Sequence, residues 1–260
     1  MTERVVTNAL KIGLISDIHG NLQALEAVLF ALDPHKVDLI VCAGDLICYG
    51  ANPNSIIQLC KEKHIACVTG NYDDAVAWDK PSASRKPSSP RSEQLKQAAL
   101  EWTKQNITKE TKGYLKSLPW RLDYQLADKH ITVLHAGLDY LDEWVTPELP
   151  ESIQKISKRV PADVIILGHT HQAYFHEYRR RLVINPGAVG RSLDGNTSAS
   201  FAVLSLPEMK VELFRTEYDL KAALSSIEKS GMPLDIVRLL KHGARRIEEV
   251  EVDSAALAKV

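Results

Sequence analysis

The chain has 260 residues, of which 45% are hydrophobic and 25% charged; that is long enough to close a substantial core and excludes disorder throughout. Its 32 basic and 33 acidic side chains leave a net charge of −1, so no overall field draws it to long nucleic acid or an anionic membrane. Met1 to Leu10 lacks a signal-peptide apolar core and no apolar run approaches the roughly 20 residues of a bilayer span, so a cytoplasmic protein is expected.

The first third alternates strand and helix signals. Leu10 to Ser16 is an apolar run suited to a buried strand, and Asn21 to Leu32 then repeats apolar residues at helical spacing. Val37 to Ala43 predicts a second strand, Ser55 to Lys63 a second helix and Ile65 to Thr69 a third strand. Consecutive βαβ units of this kind close a parallel sheet through right-handed crossovers. Cys42, Cys48, Cys60 and Cys67 fall in this region without a C-x-x-C pair, as reduced, buried thiols would.

Asp79 to Ser92, rich in Pro, Ser and basic residues, predicts a surface loop, followed by helices over Glu93 to Gln105 and Lys109 to Ser117 that form a cap beside the sheet. Strand character returns at Arg121 to Leu126, Ile131 to His135, Val164 to Leu167, Ala173 to Tyr178, Arg181 to Ile184, Phe201 to Leu206 and Lys210 to Phe214. The later strands are spaced as antiparallel neighbours are. Leu220 to Lys229 and Leu234 to Lys241 close the chain as helices. An α/β fold follows, a four-layer α-β-β-α sandwich of two packed mixed sheets flanked by helices.

Chemistry gathers at the strand ends. The first strand runs into Asp17-Ile18-His19, the second into Gly44-Asp45, the third into Gly70-Asn71; His135 ends another, and Gly168-His169-Thr170-His171 follows a further apolar run. Ligands of α/β proteins collect outside the carboxyl ends of strands. In an extended segment, residues two apart share a side, so Asp17 and His19 can address one metal, and His169 and His171 likewise point to one side. Seven ligand-type side chains suit two divalent ions, with Asp45 as the natural bridge. Their mixture of carboxylate, imidazole and amide fits Mn, Fe, Zn, Co or Ni better than an all-oxygen Mg or Ca cage.

These motifs resemble the calcineurin-like metallophosphoesterase superfamily, in its small prokaryotic phosphodiesterase-like branch. Gly44-Asp45-Leu46-Ile47-Cys48-Tyr49-Gly50, the Leu118-Pro119 turn and Asn185-Pro186-Gly187-Ala188-Val189-Gly190 extend the likeness over most of residues 10 to 215. The resemblance implies one metallophosphoesterase domain, with a core over about 10–215, a helical cap insertion over about 73–118 and a C-terminal helical extension over about 218–260. It further implies Asp17, His19, Asp45 and His171 around one metal, and Asp45, Asn71, His135 and His169 around the other. Two transition-metal ions, manganese first, would then let a metal-held water or hydroxide attack a small phosphodiester or phosphomonoester, nucleotide-like substrates included.

The chain departs from the family at Tyr72, where Gly-Asn-His is common and the histidine assists the leaving oxygen. Tyrosine, with a reference pKa near 10, is a poorer proton donor at neutral pH. The expectation is that activity survives on esters with good leaving groups. Asp73 keeps the family's acidic position and is expected to orient a histidine ligand. The alternative reading that Tyr72 raises is a catalytically weak protein-interaction scaffold on the same fold. Asn21 is a helix N-cap or a phosphate contact, and Arg191 a phosphate contact or an exposed ion pair. Asn185-Pro186-Gly187 reads as a structural turn beneath the site, Arg179-Arg180-Arg181 as a solvated hairpin turn, and Trp78 and Trp102 as core aromatics or the border of a base pocket.

Overall fold

A computed structural model describes residues 9–85 and 89–250. Residues 86–88 of the expected loop, 251–260 of the expected C-terminal extension and 1–8 of the N-terminus lie outside the described residues.

Three parallel strands come first: β1 (Leu10–Ile15), β2 (Leu39–Cys42) and β3 (Ala66–Cys67), joined by α1 (Leu22–Leu32) and α2 (Pro53–Glu62). Three helices follow, α3 (Asn71–Ala77), α4 (Pro90–Asn106) and α5 (Lys109–Ser117). The second half carries β4 (Arg121–Leu126), β5 (Lys129–Leu134), α6 (Pro150–Arg159), β6 (Val164–Ile166), β7 (Ala173–Tyr178), β8 (Arg181–Pro186), β9 (Ala199–Leu206) and β10 (Lys210–Thr216). Helices α7 (Leu220–Lys229) and α8 (Leu234–His242) follow, and the described chain is helical again at 247–250. The strands form two five-stranded mixed sheets, in the orders β10-β9-β1-β2-β3 and β4-β5-β6-β8-β7.

The two-residue period of the strands builds the layers. On β6, Val164 and Ile166 join the core between the sheets, whereas Ile165 faces the α6 side. Strand β8 repeats this, with Leu182 and Ile184 inward and Val183 outward. Ile12 and Leu14 of β1 enter the inter-sheet core, while Ile15 packs with Leu25 and Val28 of α1. At about 1.5–3 kcal/mol per fully buried aliphatic side chain, this double-sided burial dominates cohesion. It fixes strand register too, because a one-residue slip would exchange the two faces.

Two helices fall where no helix was expected. Helix α6 buries Ile153 and Ile156, only two apolar residues at helical spacing, and its start at Leu149 carries no side-chain cap. Helix α3 begins within the Gly70-Asn71-Tyr72-Asp73 motif. Helices α4 and α5 give Leu95, Ala99, Leu100 and Leu115 to the same core as α1 and α2, so they extend the outer helical layer. Arg179 and Arg180 adopt positive φ in the β7–β8 connection, the backbone of a tight hairpin turn. Among the described residues, no helix is long and apolar enough to cross a membrane.

Candidate metal centre

The loops after β1, β2, β3, β5 and β6 bring the seven expected donors to one edge of the sandwich, and all are buried except His169, which is half-buried. The local backbone differs from the expected extended form. Asp17, His19, Asp45, His169 and His171 all have φ between +47° and +66°, the left-handed region that costs a non-glycine residue on the order of 1 kcal/mol or more. These residues therefore share a side through tight left-handed turns at the strand ends, not through strand alternation. Neighbouring glycines make room for the turns. A Cβ on Gly70 would lie 2.1 Å from Asp45 Oδ1, and one on Gly168 would lie 2.0 Å from Ser16 Oγ.

The donors form two groups. Atoms of Asp17, His19 and His171 lie within 4.8 Å of one another, as do atoms of Asp45, His135 and His169. Asp45 faces both, since its Oδ2 is 3.7 Å from His19 Nε2 and 3.5 Å from His135 Nε2. Asn71 Oδ1 sits 2.9 Å from His135 Nε2 and 3.0 Å from His169 Nδ1.

Backbone carbonyls fix three of the imidazoles. Nδ1 of His19 meets Ile47 O at 3.2 Å, Nδ1 of His135 meets Ala43 O at 2.7 Å, and Nδ1 of His171 meets Arg191 O at 2.5 Å. A carbonyl only accepts, so each Nδ1 carries the proton and each Nε2 presents a lone pair to the site. Nε2 of His19 and His171 are nevertheless only 3.2 Å apart. Burial, then the nearby positive charge, holds both rings neutral: His19 falls well below its ordinary value and His171 to about 3. His135 is likewise lowered by burial, to about 4. Two lone pairs at that distance with no proton between them repel, and a shared cation turns the repulsion into ligation. The donor set fits divalent transition metals on this ground.

The carboxylates carry the opposite strain. Burial, then neighbouring Asp45, raises Asp17 well above the usual carboxylate range, and burial pushes Asp45 up to about 7. Asp73 is also lifted to about 7, by burial and then by Asp45. Expected to orient a histidine, it instead accepts from the amides of Leu46 at 3.0 Å, Ile47 at 3.3 Å and Gly70 at 3.0 Å. Its grip is on the loop that carries Asp45. Asn185 plays the matching part beneath the histidine loop, donating to Gly168 O at 2.6 Å and Thr170 Oγ1 at 3.0 Å while accepting from Gly187 N at 2.9 Å.

A cavity of about 500 Å³ opens over Asp45, Asn71, His169 and His171. Its wall includes Tyr49, Tyr72, Trp144, Arg191, Arg245 and Arg246. Tyr72 neither points away nor packs alone: its hydroxyl shares a 2.6 Å hydrogen bond with that of Tyr49, and its amide donates to Asp45 Oδ1 at 2.9 Å. Burial raises both phenols, Tyr72 well above its ordinary value. Arg191 stacks on Tyr49, with Cζ 4.2 Å from the ring centre. Asn21 caps α1 by accepting from Ala24 N at 3.2 Å and donates to Gly190 O at 2.9 Å. Trp102 packs against the helical core and donates to Ser230 O at 3.0 Å, whereas Trp78 is exposed. The tryptophan at the cavity is Trp144, which no motif announced. Arg245 and Arg246, in the short segment after α8, were equally silent in sequence.

Comparisons with known proteins agree with this geometry. The profile of the calcineurin-like phosphoesterase superfamily domain matches residues 10–209. The chain is 31% identical over 239 residues to an uncharacterized protein of Methanocaldococcus jannaschii, covering 85% of this chain and 93% of that protein. Among solved structures, a metallophosphoesterase from Sphaerobacter thermophilus superposes with a TM-score of 0.74 at 28% identity, over 90% of this chain and 100% of that one. A hypothetical protein from Pyrococcus horikoshii shares the fold with a TM-score of 0.80 at 20% identity, over 90% and 99% of the two chains. The chain belongs to the calcineurin-like phosphoesterase superfamily.

Proposed function

We propose that this chain is a dinuclear metal-dependent phosphoesterase acting on small phosphodiesters or phosphomonoesters. The observation that carries the proposal is the pair of donor groups with Asp45 facing both. Asp17, His19, Asp45 and His171 would hold one ion, and Asp45, Asn71, His135 and His169 the other. The ions are manganese in the first instance, with iron, zinc, cobalt or nickel compatible with the same donors. When bound, two such ions supply positive charge to phosphate oxygens and activate water. The chain folds as one unit in this reading, a core over about 10–215 with inserted helices over about 73–118 and a C-terminal extension from about 218.

The protein's own part is positioning and electrostatics. Arg191, held by its stack on Tyr49, presents a guanidinium fork to the oxygens of the bound phosphate. Between Tyr49 and Tyr72 one hydroxyl proton is spent in their mutual hydrogen bond, leaving the other to be donated toward substrate. Since both phenols are raised, neither loses its proton at neutral pH; they steady a departing oxygen by hydrogen bonding without protonating it. Esters with acidic leaving groups are therefore the substrates this site serves best.

The scaffold alternative gains no support from the site, where both donor groups are complete. The test is metal analysis of the purified protein with hydrolysis of a bis-aryl phosphate across divalent ions. Two bound metals and turnover under at least one ion are expected; two metals and no turnover under any would return the scaffold reading.

A further inference from the structure

The positive charge around the cavity exceeds what one phosphate needs. Arg191 is the inner cation, since its field reaches Asp45, His19 and His171. Beyond it stands Arg245, whose guanidinium lies over Trp144 with Cζ 4.4 Å from the ring centre. The same indole meets His169 edge-on with ring centres 6.2 Å apart, so one ring separates the donor cluster from Arg245. Arg246 lines the cavity beside it. The backbone ties the inner and outer arginines together, because Arg191 Nη2 donates to Arg245 O at 3.4 Å.

Three guanidinium groups thus crowd one wall. Arg245 is lowered from its ordinary value by burial first and then by the charge of Arg246, with Arg191 adding to it. Arg191 Nε is buried and has no hydrogen-bond partner. The anions that share the cavity are committed elsewhere. Asp45 faces the donor clusters, and Asp142 is held by Arg85, with its amide and Nε both at 2.8 Å and Nη2 at 2.7 Å. The nearest carboxylates are occupied as well: Glu249 accepts from the amides of Arg245 and Arg246 at 2.9 and 3.1 Å, and Glu248 accepts from the hydroxyls of Ser89 and Ser92. A wall of planar, mutually repelling guanidinium groups that no side-chain ion pair ties down among the described residues is a phosphate-binding surface.

Resting on the phosphoesterase reading, we infer that Arg245 and Arg246 receive a second phosphate of the substrate, so that the preferred ester carries at least one phosphate group beyond the one cleaved. The region matching the family ends at residue 209. Arg245 and Arg246 lie beyond those matched residues, in the segment that follows α8. Trp144, between the two positions, spaces them.

The inference is tested by calorimetry on the metal-free protein with inorganic tripolyphosphate and inorganic phosphate as probes, using the double variant R245Q/R246Q. R180Q, which removes a cation from the β7–β8 turn, controls for bulk charge. The double variant should weaken tripolyphosphate at least about 10-fold and phosphate less than about 2-fold, with R180Q unchanged. In the metal-loaded enzyme, the same double variant should raise KM about 10-fold for an aryl phosphodiester bearing a further phosphomonoester. It should leave kcat for that ester, and both constants for bis-aryl phosphate, within about 2-fold. Equal weakening by R180Q, or unchanged tripolyphosphate binding in R245Q/R246Q, overturns the inference. Absence of turnover with every ester, alongside the expected binding difference, would sink the phosphoesterase reading and leave the polyphosphate site standing.

Discussion

Asp73 is the buried residue that anchors the loop carrying Asp45, and its removal has a calculable consequence. Its carboxylate is fully buried and accepts from three amides, those of Leu46, Ile47 and Gly70. In D73A each amide loses its acceptor. At about 1–1.5 kcal/mol apiece, the lower part of the range for an unsatisfied buried donor, the total is about 3–5 kcal/mol. D73N retains one acceptor oxygen and should cost about 1–2 kcal/mol. The pH dependence has a definite sign. Burial raises the carboxyl from 3.8 to about 7, so the folded state holds its proton more tightly than the unfolded chain does. The native metal-free protein therefore loses stability as pH climbs from about 4 to about 7, by up to about 4 kcal/mol at about 1.4 kcal/mol per unit. Variants lacking the carboxyl do not share that loss. The gap between wild type and either variant is thus largest at about pH 4 and below and shrinks steadily toward pH 7 to 8. Urea unfolding in the presence of a chelator measures it. A D73A cost below about 1 kcal/mol at pH 5, or a gap that widens with rising pH, would refute the assignment of Asp73 to the loop.

Replacing the shared donor in D45N should lower bound metal from two ions toward none and cut bis-aryl phosphate hydrolysis by more than about 10², the upper figure for losing a mere outer partner of a ligand. Elemental analysis and initial rates read both; two retained ions would contradict the bridging position. At Tyr72, wild type should hydrolyse aryl esters far faster than alkyl esters, and Y72H should narrow that ratio by roughly 10²-fold, the lower figure for restored general-acid help. Equal wild-type rates on the two ester classes would sink the leaving-group argument. Metal uptake should strengthen as pH rises from 5 to 7. Asp45 holds a proton up to about 7 and burial raises Asp17 as well, whereas His135 and His171 are already neutral above about 4 and 3, so carboxylate protons are the ones a metal must displace. Calorimetry in two buffers of different ionisation heat checks this, and affinity independent of pH across that interval would contradict it.

Much of this was legible because strand and helix signals punctuate the chain cleanly. Apolar runs at Leu10–Ile15, Leu39–Cys42 and Val164–Ile166 each end in a donor motif, and the ends of neighbouring strands must be close in space. The backbone that presents the donors was not legible. Alternation suggested extended geometry for Asp17 and His19, yet both are left-handed; nothing in an Asp-x-His triplet distinguishes the two, because the difference is set by the packing of Gly190 and Gly50 around the turn. Helix α6 was silent since two isoleucines three residues apart make too narrow a stripe to stand out from a polar loop. Strand β3 is shorter than its apolar run, Ala66–Cys67 against Ile65 to Thr69: Val68 makes the last bond to β2, donating to Cys42 O at 3.0 Å, and Thr69 turns to Pro119 O at 2.9 Å as the chain enters Gly70 and Asn71.

The division between what could and could not be read follows the division of labour in the molecule. Metal donors must sit where several strands end, so their positions are dictated by the fold and announce themselves in sequence. The residues facing the outer cavity come from Trp144, in the connection before α6, and from Arg245 and Arg246 after α8, segments whose spacing is free of any strand or helix period. Their proximity exists only through tertiary contacts: Arg245 over Trp144, Trp144 against His169, and Arg191 bonded to the backbone of Arg245. Changing those peripheral segments alters charge and shape around the cavity without touching the five loops that hold the donors. A sandwich built this way holds its donors at the strand ends while the outer cavity is shaped from the C-terminal side, where Arg245 and Arg246 place positive charge on its wall.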